Sequence, residues 1–337
     1  MKRVLFSSLL GATLVGQAFA ATTTLTVYSA LEEDQLQVYE KAFNAVYPDI
    51  KLQWVRDSTG IVTAKLLAEK NNPKADAVWG LAGSALGLLA SQDMLQPYAP
   101  QGLDSINSKM RDAENPPAWV GMSGYASVLC VNTVELEKQK LPMPSSWEDL
   151  LKPDYAGKIV MPNPASSGTG FLDVSAWLQL FGEEKGWTYM DGLHKNIGSY
   201  THSGSKPCNL AAAGEYPIGI SFDYRGVRLK EQGAPLALVF PSEGLGWEIE
   251  AAAIIKGSKN MDAAQKLADF SASEAAAQMY KEQFAVLARP VAAGGNPELP
   301  SDLNQRLIDN DFAWSATNRE RIIKEWTKRY DGKTEAK

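Results

Sequence analysis

Histidine and cysteine are scarce in this 337-residue sequence, which contains two of each. His194 and His202 have no pattern of carboxylates around them, so a histidine-based metal site or catalytic base has little to build on. The sequence also lacks a GxSxG nucleophile elbow and a Walker-type Gly-Lys-Ser/Thr loop. These absences argue against a hydrolase, and we expect a binding protein without catalytic residues, metal or cofactor.

Long apolar runs are absent beyond the N-terminus. At the N-terminus, two basic residues precede the apolar segment 4–15, and the tripeptide Ala-Phe-Ala ends at Ala20. This pattern predicts a secretory signal peptide over residues 1–20, with a membrane anchor as the alternative. The apolar segment is too short to span a bilayer comfortably. Cleavage would leave 31 Lys and Arg against 39 Asp and Glu with no basic cluster, so nucleic acid is not an expected partner.

The two cysteines, Cys130 and Cys208, are an even number in a chain predicted to be exported, which favours a disulfide. Closing a loop of this length stabilises by up to about 4 kcal/mol in the chain-entropy model. Two separate buried thiols are the alternative. No CxxC motif or neighbouring histidine completes a metal site.

The N-terminal region repeats one scheme three times, in which a strand leads through a loop of small residues into a helix. The predicted strands cover residues 25–28, 52–55 and 75–79, and the loops include residues 57–60 and 80–83. Such repetition is typical of a parallel α/β sheet.

Two extended segments, 120–131 and 247–255, bracket a middle block with the same strand and helix pattern. We interpret them as paired hinge strands between two lobes, joining parallel or mixed sheets. Residues 21–122 with 252–337 then form lobe 1, and residues 123–251 form lobe 2. The C-terminal helical regions, 261–280 and 303–330, belong with lobe 1 and have the length to bridge both lobes.

The loops at the predicted strand ends are rich in hydroxyl residues and glycine. The segment PNPASSGTG (162–170) carries more of them than one helix cap requires. Ligands of open parallel sheets bind at the carboxyl ends of the strands, and helix N-termini there favour anions. Four such loops predict a site for a tetrahedral oxyanion, although capping and turn chemistry remain the alternative. The predicted anion ligands are Ser29, Ser58, Thr59, Gly60, Ser84, Ser166, Ser167, Gly168 and Thr169.

Carboxylates occur at the same strand ends, where a bare anion would be repelled by them. Glu32 and Asp223 are the candidates for binding a cationic group on the ligand. Trp79, Tyr224 and Trp247 are the candidate walls. For each carboxylate, a favourable charge at a helix N-terminus or a solvated surface is the alternative role.

Several segments together resemble periplasmic substrate-binding proteins of ABC importers. They are VYSALEEDQ, VRDSTGIVTAKLLAEK, DAVWGLAGS, PNPASSGTGFLDVSAWLQ, YTHSGSKPC, GISFDYR and GLGWEIEA. The resemblance extends over nearly the whole chain after residue 20 and is strongest to the 2-aminoethylphosphonate-binding group, which is related to the ferric-iron-binding proteins.

The resemblance implies a type II two-lobe fold, a periplasmic monomer that delivers its ligand to an ABC permease, and 2-aminoethylphosphonate as that ligand. The iron-binding relatives have adjacent tyrosines where this sequence has Asp223 and Tyr224. This difference argues against iron and suits an amine. A phosphate ester such as phosphoethanolamine, inorganic phosphate and Fe³⁺ remain the alternative ligands.

Overall fold

The computed structural model describes residues 22–292 and 296–336. The predicted signal peptide lies outside the described residues. The strands are β1 (Thr23–Ser29), β2 (Ile50–Arg56), β3 (Ala77–Ala82), β4 (Leu95–Gln96), β5 (Val120–Asn132), β6 (Ile159–Pro162), β7 (Ile197–Thr201), β8 (Ile218–Phe222), β9 (Leu236–Val239), β10 (Trp247–Ile255) and β11 (Val286–Leu287).

The helices alternate with these strands through most of the chain. They are α1 (Glu33–Val46), α2 (Thr59–Ala68), α3 (Gly83–Ser91), α4 (Thr133–Gln139), α5 (Gly168–Phe181), α6 (Glu183–Asn196), α7 (Lys206–Ala212), α8 (Asp223–Glu231), α9 (Met261–Ser271), α10 (Glu274–Lys281), α11 (Leu303–Arg306) and α12 (Phe312–Tyr330). Among the described residues, none of these helices combines the length and apolar character needed to cross a bilayer.

The strands form a mixed sheet in the order β2-β1-β3-β10-β5-β8-β6-β7. At one end β2, β1 and β3 are parallel, and at the other end β8, β6 and β7 are parallel. Between them β10 and β5 pair in antiparallel fashion with each other and with their neighbours. The predicted α/β fold with two lobes and mixed sheets is confirmed.

The two hinge strands were predictable because they are long and apolar. All 13 residues of β5 are buried; its first half pairs with β10 and its second half with β8 and β9. Strand β5 therefore passes from the sheet of lobe 1 into that of lobe 2, with β10 beside it. The loops that follow the parallel strands of both lobes meet next to this crossing.

The loop predicted over residues 80–83 is instead part of a strand and a helix. β3 continues to Ala82, and α3 begins directly at Gly83. Gly80 adopts a positive φ of 82°, and a Cβ there would lie 2.3 Å from the Leu31 side chain. Glycine therefore lets the strand continue past a close contact that any other residue would block.

Both C-terminal helical regions divide into two helices because a capping residue interrupts each. Ser273 accepts a hydrogen bond from the Ala276 N–H and starts α10, and Asp311 accepts one from the Trp314 N–H and starts α12. Helix α12 contacts α3 of lobe 1 and α5 of lobe 2. It thus packs across the hinge, where its Phe312 also contacts Trp247 of β10.

Candidate ligand-binding site

The two lobes enclose a cavity where the loops after their parallel strands meet. Its volume is about 40 Å³, and beside it the Gly60 N–H donates to the Ser166 carbonyl across 2.8 Å, joining the lobes. The structure is therefore the closed form. The lining residues are Ala30, Glu32, Gln35, Arg56, Ser58, Thr59, Tyr125, Ser167, Gly168, Thr169, Ser203, Gly204, Phe222, Glu250 and Phe284.

One part of the cavity, here called the donor end, consists of neutral groups that can donate hydrogen bonds. Helix α2 begins behind Ser58 and α5 begins behind Ser167, so both present their N-terminal N–H groups and dipoles in this region. The loop before α7 adds a further hydroxyl and a glycine. The donor end comprises Ser58, Thr59, Ser167, Gly168, Thr169, Ser203 and Gly204.

Several donors of this end are not used within the fold. Among the described residues, the N–H groups of Gly168 and Thr169 have no hydrogen-bond acceptor. The hydroxyls of Ser58 and Thr59 likewise make no hydrogen bond in that part of the chain. Neutral donors held at two helix N-termini are the arrangement that binds phosphate and phosphonate groups.

The other part, here called the carboxylate end, consists of Glu32 and Glu250. Glu32 precedes α1 in a capping box with Gln35. Glu250 stands on β10, is 7% exposed, and makes no side-chain hydrogen bond with any described residue. Burial, together with the nearby charges of Glu248 and Glu32, raises the pKa of Glu250 to about 8.

Arg56 is the cationic side chain in the lining. It ends β2, its Nη2 lies 3.4 Å from Glu32 Oε2, and its Nε donates to the Leu31 carbonyl. This contact offsets part of the charge of Glu32. Glu250 remains the lining carboxylate without a cationic partner among the described residues, and its burial makes an added cation favourable there.

Aromatic rings complete the walls. Tyr125 on β5 and Phe222 at the end of β8 contact each other edge to face, with ring centroids 5.7 Å apart. Phe284 faces Tyr224 with centroids 5.5 Å apart. Burial raises the pKa of Tyr125 well above its usual value, so its hydroxyl stays protonated and serves as a further donor.

Six of the predicted site residues line the cavity: Glu32, Ser58, Thr59, Ser167, Gly168 and Thr169. Gly60 and Ser166 lie beside it, in the backbone contact between the lobes. A Cβ on Gly60 would lie 2.1 Å from the Ala165 carbonyl oxygen, so glycine is required for this closure. The Ser166 hydroxyl donates to the His202 carbonyl and is directed away from the ligand space.

Ser29, Ser84 and Trp79 are directed into the fold instead of the cavity, which corrects their predicted positions. The Ser29 hydroxyl donates to the Trp79 carbonyl across 2.6 Å. The Ser84 hydroxyl donates to Glu248, and the Trp79 indole N–H donates to the Tyr280 hydroxyl. Each polar group is buried and needs a partner inside the protein.

Asp223, Tyr224 and Trp247 also lie outside the lining. Asp223 starts α8 and is 1% exposed, and burial raises its pKa to about 7. Tyr224 donates to Asp34 of α1 across the lobe interface. Trp247 donates to the Ile308 carbonyl and packs edge to face on Phe312. Tyr224 and Trp247 therefore contribute to lobe packing.

Sequence reasoning missed Glu250, Arg56, Tyr125 and the Ser203-Gly204 loop. Glu248 and Glu250 alternate along the predicted hinge strand, so both fall on one face of it. That alternation was the available signal for Glu250. Arg56 directly precedes the loop 57–60, and Ser203-Gly204 directly precedes α7, so both had the strand-end position that identified the other residues.

A buried polar cluster lies behind the carboxylate end. Glu248 accepts from Ser84, and Arg319 of α12 donates to Ser84 across 3.4 Å. The Arg319 guanidinium also lies 4.1 Å above the Phe171 ring of lobe 2. Burial raises the pKa of Glu248 and lowers that of Arg319 to about 10. The cluster thus holds α12 against both lobes at the hinge.

Cys130 and Cys208 form a disulfide in this structure, with Cα atoms 5.3 Å apart. Cys130 lies on β5 and Cys208 on α7, and both are fully buried. The bond ties α7, and with it the preceding Ser203-Gly204 loop, to the central strand of lobe 2.

Comparison with known proteins agrees with this architecture. The family described as bacterial extracellular solute-binding protein matches residues 72–316. An uncharacterized protein of Haemophilus influenzae is 31% identical over 310 residues, which cover 90% of this chain and 89% of that protein. A probable ABC transporter periplasmic-binding protein of Sinorhizobium fredii is 26% identical, covering 84% of this chain and 79% of that protein.

A solved structure has the same fold. The periplasmic binding protein AfuA from Actinobacillus pleuropneumoniae, with exogenous fructose-6-phosphate bound, superposes with a TM-score of 0.86 at 32% identity. The match covers 92% of this chain and 99% of AfuA. The two-lobe arrangement described above is thus that of a ligand-binding clamshell.

Proposed function

The chain belongs to the family of bacterial extracellular solute-binding proteins and is the solute-binding component of an ABC importer, and from this premise we propose that it captures 2-aminoethylphosphonate. The ligand would lie between the lobes in the periplasm, and the loaded closed monomer would deliver it to the membrane permease. The observation that carries the proposal is the pairing of a donor end with a carboxylate end in one small cavity.

The donor end suits the phosphonate. Its hydroxyls and its free N–H groups at the start of α5 can surround three oxygens without adding a full positive charge. The donor end therefore suits an anion with one or two negative charges at least as well as a more highly charged one. Ser29 and Ser84 take no part, because their hydroxyls are used within lobe 1.

The carboxylate end suits the ammonium group. Glu250 is buried without a partner in the described chain, and an ammonium would supply the missing charge and hydrogen bonds. Glu32 is the second candidate, although Arg56 already contacts it. We therefore propose Glu250 for this role in place of Asp223, which was one of the two carboxylates expected from the sequence.

The size of the cavity favours a short ligand. The closed space measures only about 40 Å³, so a ligand enclosed in it would have a short spacer between its two charged groups. A phosphate ester is the second candidate because AfuA, at 32% identity, holds fructose-6-phosphate. A sugar phosphate would require the lobes to close less far, and its hydroxyls could donate to Glu32 and Glu250.

Inorganic phosphate and Fe³⁺ are less well matched. Phosphate alone would leave the carboxylate end without a counter-charge. In the described ranges, no group of three or more His, Cys, Asp and Glu side chains is positioned to hold a metal ion. Tyr224, at the position of a tyrosine in the iron binders, is already bonded to Asp34.

Calorimetric titration of refolded, ligand-free protein tests the proposal. We expect tight binding of 2-aminoethylphosphonate and weak or no binding of phosphate and ethylamine, each of which occupies only one end. Phosphoethanolamine and fructose-6-phosphate are the decisive competitors. Tighter binding of fructose-6-phosphate than of 2-aminoethylphosphonate would replace the proposed ligand with a sugar phosphate.

A further inference from the structure

The C-terminal segment (residues 331–336) packs against lobe 2 immediately behind the donor end. Thr334 pairs with Tyr200 of β7, and the Glu335 N–H donates to the Tyr200 carbonyl across 2.9 Å. Lys333 donates to the carbonyls of His194 and Ile197 at the end of α6. The segment therefore extends the edge of the sheet and is anchored at several points.

Glu335 holds the loop that carries Ser203 and Gly204. One carboxylate oxygen accepts from the His202 N–H across 2.8 Å, and the other forms an ion pair with Lys206 at the start of α7. These contacts fix the loop at both of its ends. Although partial burial opposes ionisation, the bonds from Lys206 and His202 hold the pKa of Glu335 below its usual value.

A second contact of the same segment reaches the loop before α5. The Asn163 side chain donates to the Thr334 hydroxyl across 3.0 Å, and the Asn163 carbonyl accepts from the Ser167 N–H. The two loops also touch each other, since the Ser166 hydroxyl donates to the His202 carbonyl. The C-terminal segment thus holds both lobe 2 loops that line the donor end.

The packing of these loops leaves little tolerance for movement. A Cβ on Gly204 would lie 2.5 Å from Thr169 Oγ1 and 3.0 Å from Ser167 Oγ. A small displacement of the Ser203-Gly204 loop would therefore displace the hydroxyls of α5 that line the cavity. Glu335 itself does not line the cavity, so any effect it has on the ligand acts through these loops.

We propose that Glu335 is a positioning residue of the ligand site, which holds the Ser203-Gly204 loop in register with Ser167 and Thr169. This inference rests on the proposed binding of an oxyanion at the donor end. It makes the C-terminal segment part of the binding apparatus of lobe 2. Ordering the loop before the ligand arrives reduces the entropy cost of binding.

The test compares Glu335→Ala and Glu335→Gln with Glu325→Ala as the matched control. Glu325 is a half-buried residue of α12 that pairs with Arg329, and it does not line the cavity. Hydrogen exchange of the ligand-free protein should increase about fivefold or more in peptides covering 199–207 for Glu335→Ala. Glu325→Ala should leave these peptides unchanged.

Binding of 2-aminoethylphosphonate then measures the consequence. We expect about tenfold weaker binding for Glu335→Ala, with a smaller loss for Glu335→Gln, since its amide oxygen still accepts from the His202 N–H. Unchanged exchange in 199–207, or faster exchange with unchanged affinity, would overturn the positioning role. If the wild-type protein did not bind 2-aminoethylphosphonate, the proposed function would fail, and the exchange result alone would decide whether Glu335 holds the loop.

Discussion

At the donor end the cavity is lined by neutral groups that two helix N-termini present. At the carboxylate end it is lined by two acidic side chains, Glu250 on a hinge strand and Glu32 before a helix. The donor end follows from local structure, because a helix start always leaves free N–H groups. The carboxylate end does not, since Glu250 is a buried acid on a central strand with no partner among the described residues.

Under the proposed function, this difference marks the end of the cavity at which stability is given up for binding. The folded-state pKa of Glu250 is raised, so the unliganded fold loses stability as pH rises from about 4.5 to about 8. At neutral pH the loss is roughly 3 kcal/mol. The donor end has no comparable cost, because water can satisfy its exposed N–H groups in the open form. An unfavourable buried acid persists where a ligand supplies its partner.

The largest expected effect comes from adding a side chain at Gly168 of the donor end. A Cβ on Gly168 would lie 2.5 Å from Thr59 Oγ1 and 3.2 Å from the Tyr125 hydroxyl. Gly168→Ala should therefore prevent closure and weaken every anionic ligand by about 100-fold or more, measured by calorimetry. Gly192→Ala is the control, since its new Cβ meets only the flexible end of Leu151. Retained affinity in Gly168→Ala would mean that the anion lies elsewhere.

Removing the charge at the other end should affect only ligands with an amine. Glu250→Gln is expected to weaken 2-aminoethylphosphonate about 50-fold, because a charge-assisted bond is lost. Methylphosphonate, which lacks the amine, should change little. Glu33→Gln, on the exposed side of α1, is the matched control. Equal losses for both ligands would remove Glu250 from the amine site, and Asp223→Asn, tested in parallel, should have the smaller effect.

The difference between the donor end and the carboxylate end also explains how well the sequence predicts each of them. Helix starts behind Ser58 and Ser167 were predictable because their hydroxyl and glycine residues precede apolar residues at helical spacing. The face of the sheet on which a strand-end side chain lies was not predictable, because a shift of one residue along the strand reverses it. Ser29 accordingly bonds to Trp79 in the fold, and Glu250 reaches the cavity.

The fold itself was easier to predict from the sequence than the site. Long buried strands and repeated strand-helix units depend on many residues, so an error in one boundary, such as that at Gly80, leaves the topology unchanged. The site depends on single side chains. Tyr125 becomes a site residue only because the lobes close around it, and no local pattern encodes that contact.

A smaller effect than that of these substitutions is expected from the pH dependence of binding, which should differ between ligands with and without an amine. Glu250, with its pKa near 8, must lose a proton to pair with an ammonium, so affinity for 2-aminoethylphosphonate should rise about tenfold from roughly pH 7 to roughly pH 9. Methylphosphonate reports the titration of the phosphonate alone. The role of Glu250 would be contradicted if affinity for 2-aminoethylphosphonate had the same pH dependence as affinity for methylphosphonate. It would also be contradicted if the Glu250→Gln variant kept the wild-type pH dependence for 2-aminoethylphosphonate.

The smallest effect is expected from the disulfide, which supports the donor end at a distance. The bond closes a loop of 78 residues, so its loss should lower the free energy of unfolding by at most about 4 kcal/mol. Because Cys208 anchors the helix that follows Ser203-Gly204, the double variant Cys130→Ala/Cys208→Ala should also bind phosphonates a few-fold more weakly. Thermal unfolding and calorimetry measure the two consequences. Since both cysteines lie in lobe 2, a loss confined to amine-bearing ligands would contradict the assignment of this loop to the donor end.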